Sequence, residues 1–512
     1  MKKMFYPYWA LLVLLVVSCS PKKKELVSKP PNVIFIYVDD LGYGDLSCYG
    51  ATAVKTPNVD ALATGGIQFT DAHCTASTCT PSRFSLLTGS YAFRNNAAIL
   101  PGDAPLIIDP NKETIADMFK SAGYATAAIG KWHLGLGNGK PDWNKEIKPG
   151  PLEIGFDYSF LIPATPDRVP TVFVENHTVV NRDENDPIII NYDKRIGTDP
   201  IGAEDEEILK MLADPQHSGT VVNGISRIGY MSGGHNAYWK DEEFPNVLTN
   251  KATDFISSHT QKPFFLYFAL PDIHVPRAPN QKFVGSTKMG PRGDAIVQMD
   301  WVTGQIMKKL NELKIAENTI IVFSSDNGPV LDDGYADQAL SNIGNHKPSG
   351  KFKGGKYSAY EAGTRVPTIV YWPGKVKPAK SNALISQVDF FASFAKLIGS
   401  NINNKETAVD SFDMLDALLG KNKKGRQYLI EEAFTMSIRK GNWKYIAPQT
   451  QQPPLWLINK SVDSGLQQGP QLYDLNKDPG EEYNLATQMP EKTKSLANEL
   501  AEIMKTPSRK TN

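Results

Sequence analysis

The strongest signal along the chain is a repeated pattern in which an unbroken apolar run gives way at once to polar residues. Asn32-Val33-Ile34-Phe35-Ile36-Tyr37-Val38 ends in Asp39-Asp40, and residues 124–129 run into Gly130-Lys131-Trp132-His133. Residues 263–270 end in Pro271-Asp272-Ile273-His274, and residues 319–323 end in Ser324-Ser325-Asp326-Asn327. Apolar at successive as well as alternate positions, such runs predict strands buried on both faces, as in a parallel sheet covered by helices. Open α/β sheets collect their ligands at the carboxyl ends of strands, so these polar ends mark the expected site. Helical spacing between the runs predicts a helix capped near Thr56 and others from the entrance at Cys79 to Gly89 and over 112–122, 247–257, 293–313 and 388–398. A further strand is expected over 368–372.

Between residues 141 and 240 the periodicity fades, and Pro, Gly, Asn and Asp are frequent. Short apolar pieces at 172–174 and 188–190 predict hairpins and excursions above the sheet, of the kind that carry specificity. Beyond about Gly399 the character shifts to antiparallel strands over 427–434, 436–446 and 471–475, then an amphipathic helix over 491–504. The expected fold class is α/β, with a large mixed, mainly parallel sheet flanked by helices. Residues 32–398 form the expected main domain, and 399–512 a smaller C-terminal α+β subdomain containing an antiparallel sheet.

Composition narrows the partners. Lys plus Arg and Asp plus Glu are both 55, giving zero formal charge, which excludes a general affinity for nucleic acid or anionic membrane. At the N-terminus, Lys2 and Lys3 precede an apolar stretch over 10–17 that is short for a membrane span, a signal-peptide pattern. Val16-Val17-Ser18-Cys19 resembles a bacterial lipobox, which implies a signal over 1–18, lipidation of Cys19 and a polar linker over 19–31. The expected location is the bacterial cell envelope, periplasm or outer membrane, with membrane contact through the lipid alone. Of the other cysteines, Cys48 and Cys74 form an even pair whose bonding the sequence leaves open.

The candidate chemistry gathers around Cys79-Thr80-Pro81-Ser82-Arg83. Pro81 suits a first helical turn, so Cys79 stands at a helix entrance where free N–H groups attract anions and favour a thiolate. Asp39, Asp40, Asp326 and Asn327 offer hard oxygen ligands, suited to Ca²⁺ or Mg²⁺ rather than zinc.

Six motifs in order carry a family resemblance: Val38-Asp39-Asp40-Leu41-Gly42-Tyr43-Gly44-Asp45, Cys79-Thr80-Pro81-Ser82-Arg83, Gly130-Lys131-Trp132-His133-Leu134-Gly135, His274-Val275-Pro276, Ser325-Asp326-Asn327-Gly328 and Gly355-Lys356-Tyr357-Ser358-Ala359-Tyr360-Glu361. Together they resemble type I, formylglycine-dependent sulfatases of the alkaline-phosphatase superfamily. The resemblance implies oxidation of Cys79 to formylglycine by a maturing enzyme that acts on the unfolded chain before export. It implies one Ca²⁺, in preference to Mg²⁺, held by Asp39, Asp40, Asp326, Asn327 and position 79. One hydroxyl of the hydrated aldehyde would attack sulfur, leaving a covalent sulfo-enzyme, and collapse of the other would eject sulfate. Arg83 would hold and polarise the diol, Lys131 and Lys356 grip sulfate oxygens, His133 assist deprotonation, and His274 protonate the leaving alkoxide. His346 and Lys353 are further substrate-facing candidates. The expected substrate, from the envelope location rather than from the residues, is a sulfated carbohydrate of glycosaminoglycan, mucin or algal type. The competing readings are a phosphodiester or phosphonate monoester hydrolase of the same superfamily and a non-catalytic glycan-binding lipoprotein.

Overall fold

The computed structural model describes residues 1, 3, 4, 29–402, 404–458, 460 and 462–506. Cys19 and most of the expected signal lie outside them. Among the described residues no helix is long and apolar enough to cross a membrane.

The apolar runs form the parallel heart of a ten-stranded sheet, in the order Thr319–Ser325, Asn32–Val38, Phe264–Leu270, Ala125–Lys131 and Tyr158–Ile162. Thr368–Tyr371 lies antiparallel beside the first of these, and Ile67–Phe69 and Ala379–Ser381 complete that edge. Alternate residues of the central strand feed two cores. Val33, Phe35 and Tyr37 pack towards the helices Cys79–Thr88, Ile115–Ser121 and Phe390–Ile398; Ile34, Ile36 and Val38 pack towards Pro57–Gly65, Phe244–Ser258 and Pro291–Glu312.

Register is what brings the polar ends together. Val38 is paired with both Leu270 and Ser325, and Ala269 with Gly130. Asp39, Asp326, Pro271 and Lys131 therefore leave the sheet at about one level. Gly130 has φ +105°, and a Cβ there would meet the Ala269 carbonyl oxygen at 1.9 Å, so only glycine lets these two strands approach so closely.

Two expectations are corrected here. The 141–240 region is not wholly an excursion, because Tyr158–Ile162 extends the main sheet and Val174–Glu175 with Thr178–Val179 finishes its other edge. Thr56 does not cap its helix through its side chain; its Oγ1 bonds Ser47 and Asp60 instead.

The C-terminal strands Tyr428–Glu432, Met436–Lys440, Trp443–Ile446 and Gln471–Asp474 form an antiparallel sheet backed by the helix Pro490–Lys505. Its first strand clamps the segment before Cys79, with Glu432 N donating to Thr75 O at 3.0 Å and Ser77 N to Glu432 O at 2.9 Å. Behind this clamp lies a buried ionic network. Glu361 Oε1 accepts from Arg439 at 2.9 Å and Arg365 at 3.0 Å, while its Oε2 accepts from Lys444 at 3.3 Å. His73 lies 3.0 Å from both Asp71 and Glu431. Burial works against a charge on His73, but Asp71 and Glu431 raise its pKa above the ordinary value.

Because a raised histidine pKa stabilises the fold below the unfolded value of about 6.5 and stops doing so above the native value, stability should decline with rising pH across that window. Glu361→Ala, which takes a shared carboxylate from Arg439 and Lys444 but leaves them Asp71 and Glu431, is expected to lower unfolding free energy by about 1–3 kcal/mol in denaturant titration. An unchanged midpoint would show that the network contributes nothing.

Candidate active site

The helix Cys79–Thr88 starts directly under the strand ends, and all its residues from Cys79 to Leu87 are buried. Cys79 Sγ stands 3.2 Å from His133 Nδ1, and His133 Nε2 donates to Leu100 O at 2.9 Å. That second bond fixes the proton on Nε2, so Nδ1 presents a lone pair to position 79. Burial first, then Lys131, holds His133 well below its usual pKa, consistent with a neutral ring. The expected thiolate is corrected: burial pushes the Cys79 thiol up despite Lys131 and Lys356, outweighing the helix terminus.

Asp39, Asp40, Asp326 and Asn327 are all fully buried. Both oxygens of Asp39 and Oδ1 of Asn327 have no hydrogen-bond partner. One ligand atom each from Asp39, Asp40 and His274 lies within 4.8 Å of the others. Burial, and after it Asp326, pushes the Asp39 carboxyl well above its usual range, against the pull of Lys131 and Arg83. Unpartnered oxygens converging in a closed, acidic pocket fit a hard divalent cation.

Cationic side chains ring this cluster. Lys131 Nζ is 2.5 Å from Asp39 Oδ2, an ion pair without hydrogen-bond alignment. Lys356 Nζ donates to Asp40 Oδ2 at 2.9 Å and Asp333 Oδ2 at 3.0 Å; burial opposes its charge, but Asp333 and Asp40 raise its pKa well above the ordinary value. Arg83 differs from expectation. Its Nε and Nη2 donate to Asp326 Oδ2 at 2.9 and 2.7 Å, and Nη1 donates to Lys131 O at 3.0 Å and Tyr267 OH at 3.2 Å. These four bonds make the guanidinium orient the Asp326 carboxylate, and one Nη2 N–H is left over beside them.

His274 Nδ1 donates to Val275 O at 2.6 Å, leaving Nε2 free for the cleft. Four non-glycine residues here, Asp40, His133, Ile273 and Tyr357, adopt φ of 59°, 57°, 82° and 70°. Each such conformation costs about 1–3 kcal/mol, held by the surrounding packing.

Cys79, His133, His274 and Lys356 line a cleft of about 360 Å³. Its upper walls come from residues that sequence patterns do not single out: Leu100, Asp167, Arg168, Tyr192, His217, Asp333 and Trp456. Arg168 Nη1 binds Asp167 at 3.0 Å, and His217 bridges Asp214 at 2.7 Å and Asp167 at 3.3 Å. Burial would raise the Asp167 carboxyl, but Arg168 and His217 hold it well below the carboxylate range. The structure does not bring His346 or Lys353 to this cleft. His346 Nε2 is bound to Asp45 at 2.8 Å beside Arg292, and Lys353 lies over the Tyr360 ring and faces Asp463. Cys48 and Cys74 are unpaired thiols, Cys74 donating to Ala76 O and Thr364 O.

The sulfatase family model matches residues 31–400. The chain is 51% identical over 501 residues to an N-acetylgalactosamine-6-O-sulfatase of Bacteroides thetaiotaomicron, spanning 96% of this chain and 97% of that one. It is 32% identical over 479 residues to human arylsulfatase A, spanning 90% and 84%. A solved structure described under the metabolism of multiple glycosaminoglycans by Bacteroides thetaiotaomicron superimposes with a TM-score of 0.91 at 51% identity, covering 93% of this chain and all of that one. With this agreement along nearly its whole length, the chain belongs to the sulfatase family and is a sulfuric ester hydrolase.

Proposed function

We propose that the chain removes the 6-O-sulfate from N-acetylgalactosamine units of sulfated glycans. The observation that carries this reading is the 51% identity, sustained over 97% of the N-acetylgalactosamine-6-O-sulfatase. Position 79, oxidised to formylglycine and hydrated, would supply one hydroxyl for attack on sulfur and a second whose collapse releases sulfate. Asp39, Asp40, Asp326 and Asn327 would hold a Ca²⁺ that neutralises charge on the sulfate oxygens.

In this reading His133 Nδ1 takes the proton of the position 79 hydroxyl, and Lys131 and Lys356 face the sulfate. Arg83 would hold Asp326 in place through Oδ2, as one of the residues that would bind the cation. His274 Nε2 gives a proton to the leaving sugar oxygen, while Arg168, Asp167 and His217 bind ring hydroxyls. Export on a Cys19 lipid anchor, maturation before export and the division near residue 399 belong to the same proposal.

The test is sulfate release by the matured full chain from 6-sulfated N-acetylgalactosamine, its 4-sulfated isomer and the corresponding 6-phosphate. Free sulfate from the first alone supports the reading, whereas comparable phosphate release would contradict it. His274→Ala is expected to slow the sugar ester by about 10²–10⁴-fold but barely affect an aryl sulfate with a good leaving group. Equal losses on both would remove the acid role.

A further inference from the structure

The cleft does not end at Trp456. Gln216 and Trp456 line it and also line a second cavity of about 610 Å³, whose other walls include Leu212, Asp214, Tyr335 and Ala336. That size lies within the roughly 300–1,000 Å³ typical of small-molecule sites. The two cavities are thus neighbouring compartments with Gln216 and Trp456 as their common wall. Edge-to-face contacts with Tyr357 at 5.1 Å and Phe434 at 5.9 Å hold the Trp456 ring in place.

The lining says what the second compartment can take. Leu212, which is 52% exposed, Tyr335 and Trp456 offer apolar surface for the C–H face of a sugar ring. Asp214 and Asp332 also stand in the wall; Asp214 already accepts from His217 at 2.7 Å and Lys460 at 3.1 Å, but a carboxylate has about four lone-pair sites and can take a hydroxyl as well. The ammonium in the wall, Lys460, is already held by Asp214 at 3.1 Å and Asp333 at 3.6 Å. A second sulfate would therefore meet carboxylates and an engaged lysine.

We propose that this cavity is a second saccharide subsite, which binds an unsulfated hexopyranose joined to the sulfated sugar, so that the enzyme recognises at least a disaccharide. The proposal rests on the sulfatase reading above. It gives Trp456 and the loop over 212–216 the role of placing the chain that leaves the sulfated unit.

The experiment compares the matured full chain with Ala336→Trp. Ala336 is exposed and lines the second cavity but not the catalytic cleft, so a bulky side chain there is expected to take space from the second cavity alone. Substrates are 6-sulfated N-acetylgalactosamine alone and two disaccharides carrying it, with an unsulfated sugar on its reducing or non-reducing side. One disaccharide should have a KM about tenfold below that of the monosaccharide, and Ala336→Trp should erase that advantage while leaving the monosaccharide within about twofold. Equal KM values for all three substrates in the parent, or equal losses on all three in the variant, would overturn the subsite. Absence of sulfate release from every substrate by the parent would instead fail the sulfatase reading itself.

Discussion

Cys79→Ala is expected to release no measurable sulfate while keeping its fold. The side chain lies at the helix entrance between His133 and the acidic cluster, and trimming it to alanine removes one buried atom. Stability should fall only slightly, because the cavity left is small. Turnover should fall to the level that binding and electrostatics alone sustain, on the order of 10⁶-fold below the parent, as when a nucleophile is deleted elsewhere. Cys79→Ser sharpens the point. A serine hydroxyl can attack sulfur but has no second hydroxyl to drive release, so at most one equivalent of alcohol per chain should appear, with no steady state. Sustained turnover by either variant would place the nucleophile elsewhere.

The second large expectation is a joint loss of activity and stability when divalent ions are stripped. Asp39, Asp40 and Asp326 are carboxylates without solvent exposure, and Asp39 has no hydrogen-bond donor for either oxygen. A cation at about 100 times its Kd adds roughly 2.7 kcal/mol to the folded state, so chelation should lower the thermal midpoint by several degrees. Ca²⁺ should restore it more fully than Mg²⁺, because a crowded carboxylate and amide pocket suits six to eight flexible oxygen contacts better than a strict octahedron. Asp326→Ala should abolish the response of the midpoint to added Ca²⁺. A chain shown metal-free by elemental analysis that keeps both midpoint and turnover would contradict the metal assignment.

The sheet was legible because buried parallel strands leave long apolar runs, and the register of those runs placed Asp39, Lys131, His274 and Asp326 together. Tyr158–Ile162 escaped because five residues in a loop-rich stretch carry too short a pattern to separate a core strand from a hairpin. His346 misled through proximity along the chain to Lys356, since its side chain turns instead to Asp45. Asp167, His217, Asp333 and Trp456 come from separate loops and short helical turns joined only by tertiary folding, so no spacing could announce them. That Arg83 also supports Asp326 likewise needed coordinates, because a motif gives a residue its neighbourhood and not its hydrogen bonds.

Every step proposed for the site depends on the chemical state of residue 79. The decisive measurement is mass spectrometry of the tryptic peptide carrying that position, taken from a preparation of measured sulfatase activity. An aldehyde or its hydrate in place of the thiol is expected, in a fraction that rises in proportion to turnover. Full turnover from a preparation in which every copy of that peptide retains an intact cysteine would contradict it.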